Sequence, residues 1–272
     1  MEFNREIKQH EIILNGKLFF KVLPKNSLRK YILNYAIFFL DECEISDKYI
    51  LIPDGCGTIS CAINNNTVKL ELWGTRTESI DIANDLNTYQ FLLLIEFLPG
   101  GLHKITNHDQ SSLTNKRLDL SIIAPNLVLE IKKILLENNN LDQILNRIND
   151  MFLTIIENKE DDVFEKIIFY ILKNKGNTTI AELSTQFNYS SSQLYRICLK
   201  YLGVNLKLFL RIVRLNNAIN YLENSDDNLT LISENNGYYD QAHFIKEFKA
   251  ICNITPSEYK KNMNDFYNQF IE

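Results

Sequence analysis

No run of eighteen uncharged apolar residues occurs in this 272-residue chain. The longest candidate, Tyr31 to Leu40, is too short to cross a bilayer, so no membrane-spanning helix is expected. The opening residues, Met1-Glu2-Phe3-Asn4-Arg5, lack the apolar segment of a secretory signal. The five cysteines (Cys43, Cys56, Cys61, Cys198, Cys252) are odd in number, and none stands in a C-x-x-C pair. No histidine lies at zinc-finger spacing from them. Free thiols in a reducing cytoplasm are the expectation, and the protein is expected to be cytoplasmic. Of the four histidines, His103 and His108 are too few and too poorly spaced for a metal site, so neither metal nor cofactor is expected. A nucleophile–base–orienter set, a Gly-rich phosphate loop and an H-E-x-x-H pattern are also missing, which argues against an enzyme.

What is present is core-forming material. Apolar residues make up 45% of the chain and charged residues 23%, the balance of a packed protein of one large or two ordinary domains. Asn is common and Ile and Lys abundant, as in the codon usage of an AT-rich genome. The net charge of −5 argues weakly against nucleic acid, but it is unevenly placed. From Val163 onward there are 12 basic and 11 acidic residues, against 17 and 23 in the remainder. Non-specific electrostatic attraction to DNA should therefore be modest.

Residues 1–122 read as mostly β. Ile12-Ile13-Leu14 and Leu18 to Val22 flank a turn at Asn15-Gly16. Tyr31 to Leu40 and Tyr49 to Ile52 have strand composition, the latter ending at Pro53-Asp54-Gly55. Thr58 to Ile63 and Val68 to Trp73 form a second hairpin, and Tyr89 to Phe97 stops at Pro99-Gly100-Gly101. Short strands at this spacing predict a sandwich or small barrel. The period changes near Pro125, and residues 123–160 read as a helical hairpin. Its second stripe, Leu141, Ile144, Leu145, Ile148, Phe152 and Ile155, is either ordinary core or a dimer seam. A polar hinge at Glu157 to Asp162 precedes an all-helical segment, residues 161–272. The expected fold class is thus α+β multidomain, with a β-rich unit, a hairpin serving as linker or dimerisation element, and a helical unit.

The helical unit repeats one design. Thr179 to Phe187, a turn at Asn188-Tyr189-Ser190, and Ser191 to Tyr201 form the first copy. Thr230 to Asn236, a turn at Gly237-Tyr238, and Asp240 to Ala250 form the second. Asn188 and Gly237 tolerate the left-handed backbone of a tight helix–helix turn, and Ser190 and Asp240 are good N-caps. Small residues, Ser184 and Ser233, fall where paired helices approach. In the second helices Leu194, Ile197, Cys198, Phe244 and Phe248 define a buried face. Ser192, Tyr195 and Arg196, and Gln241, Ala242, His243 and Lys246, lie opposite, in the turns that a major-groove helix presents to base edges. Arg suits guanine and Gln adenine. One such motif is evenly balanced against a solvated helix face; two copies about fifty residues apart weigh far more.

The segment Glu165 to Lys261 resembles the DNA-binding domain of the AraC/XylS family of bacterial regulators. The resemblance rests on Ile180-Ala181-Glu182-Leu183, Tyr189-Ser190, Leu194-Tyr195-Arg196, Gly203, Phe209-Leu210, Arg214-Leu215 and Ala218. It continues through Gly237-Tyr238, Asp240 to Phe244, Phe248-Lys249 and Thr255 to Tyr259. It implies seven helices, with a connecting helix from about Leu206 to Glu223 and recognition helices entering successive major grooves about one turn, ~34 Å, apart. It also places Ser192, Tyr195, Arg196, Gln241, Ala242, His243 and Lys246 on base-reading positions. Ser190, Arg211 and Arg214 take phosphate or structural ones. Departures are Cys198 for Phe, Ser184 and Ser233 for Ala, and Asn236 at an apolar position, where an unpartnered amide costs about 1–3 kcal/mol. Asp54, Trp73 and Gly100 lie in strings that resemble an uncharacterised cupin-like sensor domain; Pro53-Asp54-Gly55 and Pro99-Gly100-Gly101 are either plain turns or the rim of a small-molecule pocket. The resemblance implies a transcription regulator whose partners are promoter DNA, a small-molecule effector, a second copy of the chain and RNA polymerase. A constitutive DNA binder and a cupin-type enzyme are the alternatives.

Overall fold

The computed structural model describes residues 4, 7–8, 10, 12–15, 19–40, 48–64, 67–83, 89–157, 163–263 and 266–267. The turn at Gly16, Cys43 and most of the hinge at 157–162 lie outside these. The first part of the chain forms a seven-stranded sheet of order β1-β2-β3-β8-β5-β6-β9, beside a small sheet of order β10-β4-β7 whose β10 comes from the far end of the described residues. The strands are β1 (Ile12–Asn15), β2 (Phe19–Val22), β3 (Ile32–Phe39), β4 (Ile50–Leu51), β5 (Thr58–Asn64), β6 (Thr67–Trp73), β7 (Ile80–Asp81), β8 (Phe91–Phe97), β9 (Arg117–Asp119) and β10 (Phe266–Tyr267). Both expected hairpins form, β1 with β2 and β5 with β6, each antiparallel. Two-residue alternation along β3 sends Tyr35, Ile37 and Phe39 to one face of the sheet and Ala36, Phe38 and Leu40 to the other.

Helices α1 (Gly101–Thr106), α2 (Pro125–Glu137) and α3 (Leu141–Ile156) complete this part. The region up to 122 is thus not all strand. Gly100 adopts φ +84, and the six-residue α1 starts where Pro99-Gly100-Gly101 reads as a stop. The hairpin of α2 and α3 lies on the sheet: Leu141, Ile144, Leu145, Ile148 and Phe152 are buried in one core with Tyr35, Ile37 and Phe97. The stripe is therefore core, and Leu145 and Ile148 are not available as a seam. Asn149, buried within it, accepts from the Tyr35 hydroxyl at 3.0 Å and from the Lys25 amide at 3.1 Å.

Among the described residues seven helices follow: α4 (Val163–Lys173), α5 (Ile180–Phe187), α6 (Ser191–Leu202), α7 (Leu206–Asn224), α8 (Leu229–Asn235), α9 (Gln241–Cys252) and α10 (Pro256–Lys261). They enclose two cores. One gathers Phe164, Ile167, Ile171, Leu183, Leu194, Cys198 and Phe209; the other gathers Leu215, Ile219, Ile232, Phe244, Phe248 and Tyr259. The chain is a β-rich unit joined through a helical hairpin to a helical unit with two helix-turn-helix motifs; that unit is not all helix as expected, because β10 leaves it to pair with β4. Among the described residues, no helix is long and apolar enough to cross a membrane.

Candidate nucleic-acid interface

Each motif is assembled by local hydrogen bonding. Thr179 caps α5 by accepting from the Glu182 amide at 3.1 Å, while Glu182 accepts from the Thr179 amide at 2.9 Å, a reciprocal box. The Thr179 amide, and after it the Thr178 hydroxyl, hold the Glu182 carboxyl below the usual carboxylate range. Asn188 ends α5 at φ +56. Ser190 then caps α6, accepting from the Gln193 amide at 3.3 Å and donating to its side chain at 2.9 Å. In the second motif Asn228 caps α8, accepting from the Leu231 amide at 3.0 Å, and Asp240 caps α9, accepting from the His243 amide at 2.7 Å. Gly237 turns at φ +74, and a β-carbon there would meet Asn177 Oδ1 at 2.2 Å, so the turn also needs glycine's lack of bulk.

Those caps aim the readers outward. Leu194, Cys198 and Leu202 are buried under α6, and Phe244, Phe248, Ile251 and Cys252 under α9. Ser192, Tyr195, Arg196, Gln241, Ala242, His243 and Lys246 are all exposed on the opposite faces. Ser192, Tyr195 and Arg196 share a shallow groove with Ser191, Asn205 and Lys207. Lys207 is a cation that periodicity passes over, because it belongs to the first turn of α7 rather than to α6. Tyr239, 92% exposed just before α9, is likewise missed by any argument from buried spacing.

The two connecting-helix arginines are already engaged. Arg211 Nε donates to Glu247 Oε2 at 3.0 Å and Arg214 to Oε1 at 3.2 Å, and Arg214 lies 5.0 Å over the Tyr238 ring. They brace α9 against α7, the structural alternative left open for them. Buried Asn236 resolves its apolar position by donating to the Ile232 carbonyl at 2.8 Å, and Ser233 donates to the Thr230 carbonyl at 2.7 Å. Burial pushes the Cys198 thiol up to about 12. Cys56, Cys61, Cys198 and Cys252 are all free and buried.

Gly100 stands apart from Asp54 and Trp73, which both neighbour Glu96. Gly100 lines a cavity of about 450 Å³ between α4 and the β-rich unit, with Lys30, Tyr31, Lys104, Phe164 and Tyr201. Lys104 donates to Glu165 at 2.9 Å and Lys30 lies 4.0 Å from the same carboxylate, so the polar end of this cavity is ionic and the rest apolar. Trp73 stands elsewhere, in the cross-strand row Asn34, Glu96, Thr58, Trp73, with Arg117 at 4.5 Å over its ring. The Trp73 indole nitrogen is buried and has no hydrogen-bond partner among the described residues. Asp54 is raised to about 7, chiefly by burial, with the Cys56 amide bond lowering it and the charge of Glu96 adding to the rise. His103 donates to the His108 carbonyl at 2.7 Å and packs 4.2 Å from the Tyr201 ring. Among the described residues no cluster has metal-binding geometry.

Residues 183–262 match the family described as the helix-turn-helix domain. Two curated relatives are uncharacterized HTH-type transcriptional regulators. One is YisR of Bacillus subtilis (strain 168), 34% identical over 87 residues, which are 32% of this chain and 30% of that protein. The other, from Haemophilus influenzae, is 34% identical over 85 residues, 31% of this chain and 28% of that protein. The matched part thus spans about a third of the length of these relatives. A crystal structure of ToxT from Vibrio cholerae aligns over 79% of this chain and 94% of its own at 15% identity and a TM-score of 0.42, too low to carry an argument. Residues 183–262 of this chain are thus similar to a helix-turn-helix domain that these named transcriptional regulators share.

Proposed function

We propose that this protein is a sequence-specific DNA-binding transcription regulator of the AraC/XylS type, acting in the cytoplasm and not as an enzyme, with residues 161–272 as its reader of promoter DNA. The observation that carries the reading is the pair of capped recognition helices, α6 and α9, whose polar readers are exposed while their apolar faces are buried. Arg196, with Ser192 and Tyr195, reads one half of the site. Gln241, Ala242, His243 and Lys246 read the other. Ser190 and Lys207 flank the first groove as phosphate contacts. Selection of bound duplexes from a random pool, followed by footprinting, tests it: a two-part site is expected, and the absence of any salt-sensitive DNA affinity would overturn it.

The β-rich unit serves as sensor. The cavity at Gly100 has an apolar wall of Leu98, Pro99, Phe164, Ile168 and Phe169 and an ionic end at Lys30, Lys104 and Glu165. Its chemistry suits a small molecule with an apolar body and an acidic head, which would compete with Glu165 for the two ammonium groups. A second copy of the chain is the expected protein partner. With Leu145 and Ile148 buried, the available apolar stripe is the outer edge of α2 and the turn before it. Ile122, Leu129 and Leu136 recur there every seven residues at 68%, 66% and 52% exposure, flanked by Glu130, Lys133 and Glu137. That spacing and mixed charge suit pairing with the same helix of another copy. RNA polymerase is the further partner that regulation implies.

A further inference from the structure

The two motifs differ in what completes their cores. Among the described residues, the core of the first contains no buried apolar side chain before Phe164. That of the second includes Ile52, which is 1% exposed among Leu215, Ala218, Ile219, Leu222, Ile232 and Phe244. Strand alternation explains how a residue of the β-rich unit reaches it: Leu51 packs toward the inner face of the sheet with Phe38 and Leu92, so its neighbour Ile52 points away, into the helical unit. The strand that carries them is held from the helical side as well, because β10, beyond α10, pairs in parallel with β4, Phe266 opposite Ile50 and Tyr267 opposite Leu51.

The same side of the second motif is capped by the β-rich unit. The last carbonyls of a helix have no partner within it. In α9, the Ile251 carbonyl accepts from the Ser79 amide at 3.0 Å, and the Cys252 carbonyl accepts from the Ser79 hydroxyl at 2.9 Å. Nearby, the Asn216 side chain donates to the Pro53 carbonyl at 2.7 Å. The first recognition helix receives caps too, from Thr75 to the Leu202 carbonyl and from Thr114 to that of Gly203, both at 2.6 Å, and Gly55 and Gly100 lie against Phe209 and Phe164 of its core, but among the described residues no apolar side chain of the β-rich unit is buried within that core.

We propose that docking of the β-rich unit and ordering of the second reader are one equilibrium: Ile52 completes the second motif's core, Ser79 caps its recognition helix, and undocking leaves a protein that reads DNA with the first motif alone. The reading faces are exposed in the docked form, so the β-rich unit acts from behind them as a support and does not mask them. A ligand that favours the docked form thereby favours two-part recognition, in proportion to its preference for that form. The consequence for DNA rests on the reading of α6 and α9 as DNA readers; the consequence for order does not.

Hydrogen exchange on the full-length chain, without DNA, tests the coupling. In Ile52→Ala, amides of residues 229–252 should exchange more than about tenfold faster, ~1.4 kcal/mol of local stability per decade, while those of 180–202 and of β3 and β8 stay at the wild-type rate. In the milder Ser79→Ala, the 229–252 segment alone should exchange about threefold faster or more. Footprints of both variants should shrink to the half contacted by α6. Unchanged exchange over 229–252 in Ser79→Ala, or an equal rise in 180–202, would overturn the proposal, and the mild variant decides if Ile52→Ala loosens the whole chain. A wild type that binds no DNA would refute the regulator reading and leave the exchange result standing.

Discussion

Glu247 of α9 accepts a hydrogen bond from Arg211 of α7 at 3.0 Å, which ties the second recognition helix to the connecting helix by an ion pair. Arg214 holds the other oxygen of the same carboxylate. Glu247→Ala leaves two partly buried guanidinium groups without their acceptor. Because Arg211 is about one-third exposed, solvent screens part of the loss, and a destabilisation of about 1–3 kcal/mol is expected by thermal or denaturant unfolding. Arg211→Ala should cost less, since Arg214 still reaches Glu247. It should also leave the slope of log affinity against log salt unchanged, because an arginine that braces a helix neutralises no phosphate. Lys207→Ala should reduce that slope by about one.

Arg196 makes the sharper claim on sequence. It is exposed on α6 beside Tyr195 and Ser192, with the helix fixed beneath it by Leu194 and Cys198. Arg196→Ala should cost about 1–3 kcal/mol of binding and relax preference at one base pair in the first half of the site. Affinities for duplexes altered singly across that half are the check; an unchanged preference would remove this face from the interface.

Much of this unit was legible in the sequence because its signals are local. Thr179 with Glu182 and Ser190 with Gln193 are caps spaced three residues apart, Asn188 and Gly237 mark left-handed turns, and buried residues follow the helical period. The strands were legible as runs, but their order was not. β3 pairs with β8 across more than fifty residues, and nothing periodic in either names the other. Helix α1 was hidden because six residues are too few to show a period and its Gly100 cap reads as a turn. Gly100 shares turn and aromatic signals with Asp54 and Trp73 but lines a different place, since such signals locate a bend and not what surrounds it. Ile52 reads as the end of a strand, and only the packing shows that its side chain belongs to another unit's core.

Asp54 should leave a mark on the pH dependence of stability. Its folded pKa is raised to about 7 by burial, against an ordinary value near 3.8. The native state therefore holds a proton that the unfolded chain has released between about pH 4 and pH 7. This group's contribution to stability is fully present below that window and is lost as pH rises through about 7. Asp54→Asn keeps an oxygen to accept from the Cys56 amide and removes the titration. The melting temperature of the variant should gain on the wild type between pH 5 and pH 8; parallel curves would show that Asp54 titrates at its ordinary value.

The outer stripe of α2 carries the last prediction. A helix that buries Leu127, Val128, Ile131, Ile134 and Leu135 on the sheet has no need of apolar residues on its far side, yet Leu129 and Leu136 are there, one on each side of Lys133. Replacing both with Glu changes only exposed positions, so the fold and its melting temperature should hold within about 0.5 kcal/mol. If two copies pair along this face, four carboxylates are brought together and the dimer is lost. Light scattering should then report half the mass of the wild type at equal concentration, and DNA affinity should fall wherever two sites lie side by side. An unchanged mass for the folded double variant would place the association of this protein on another surface.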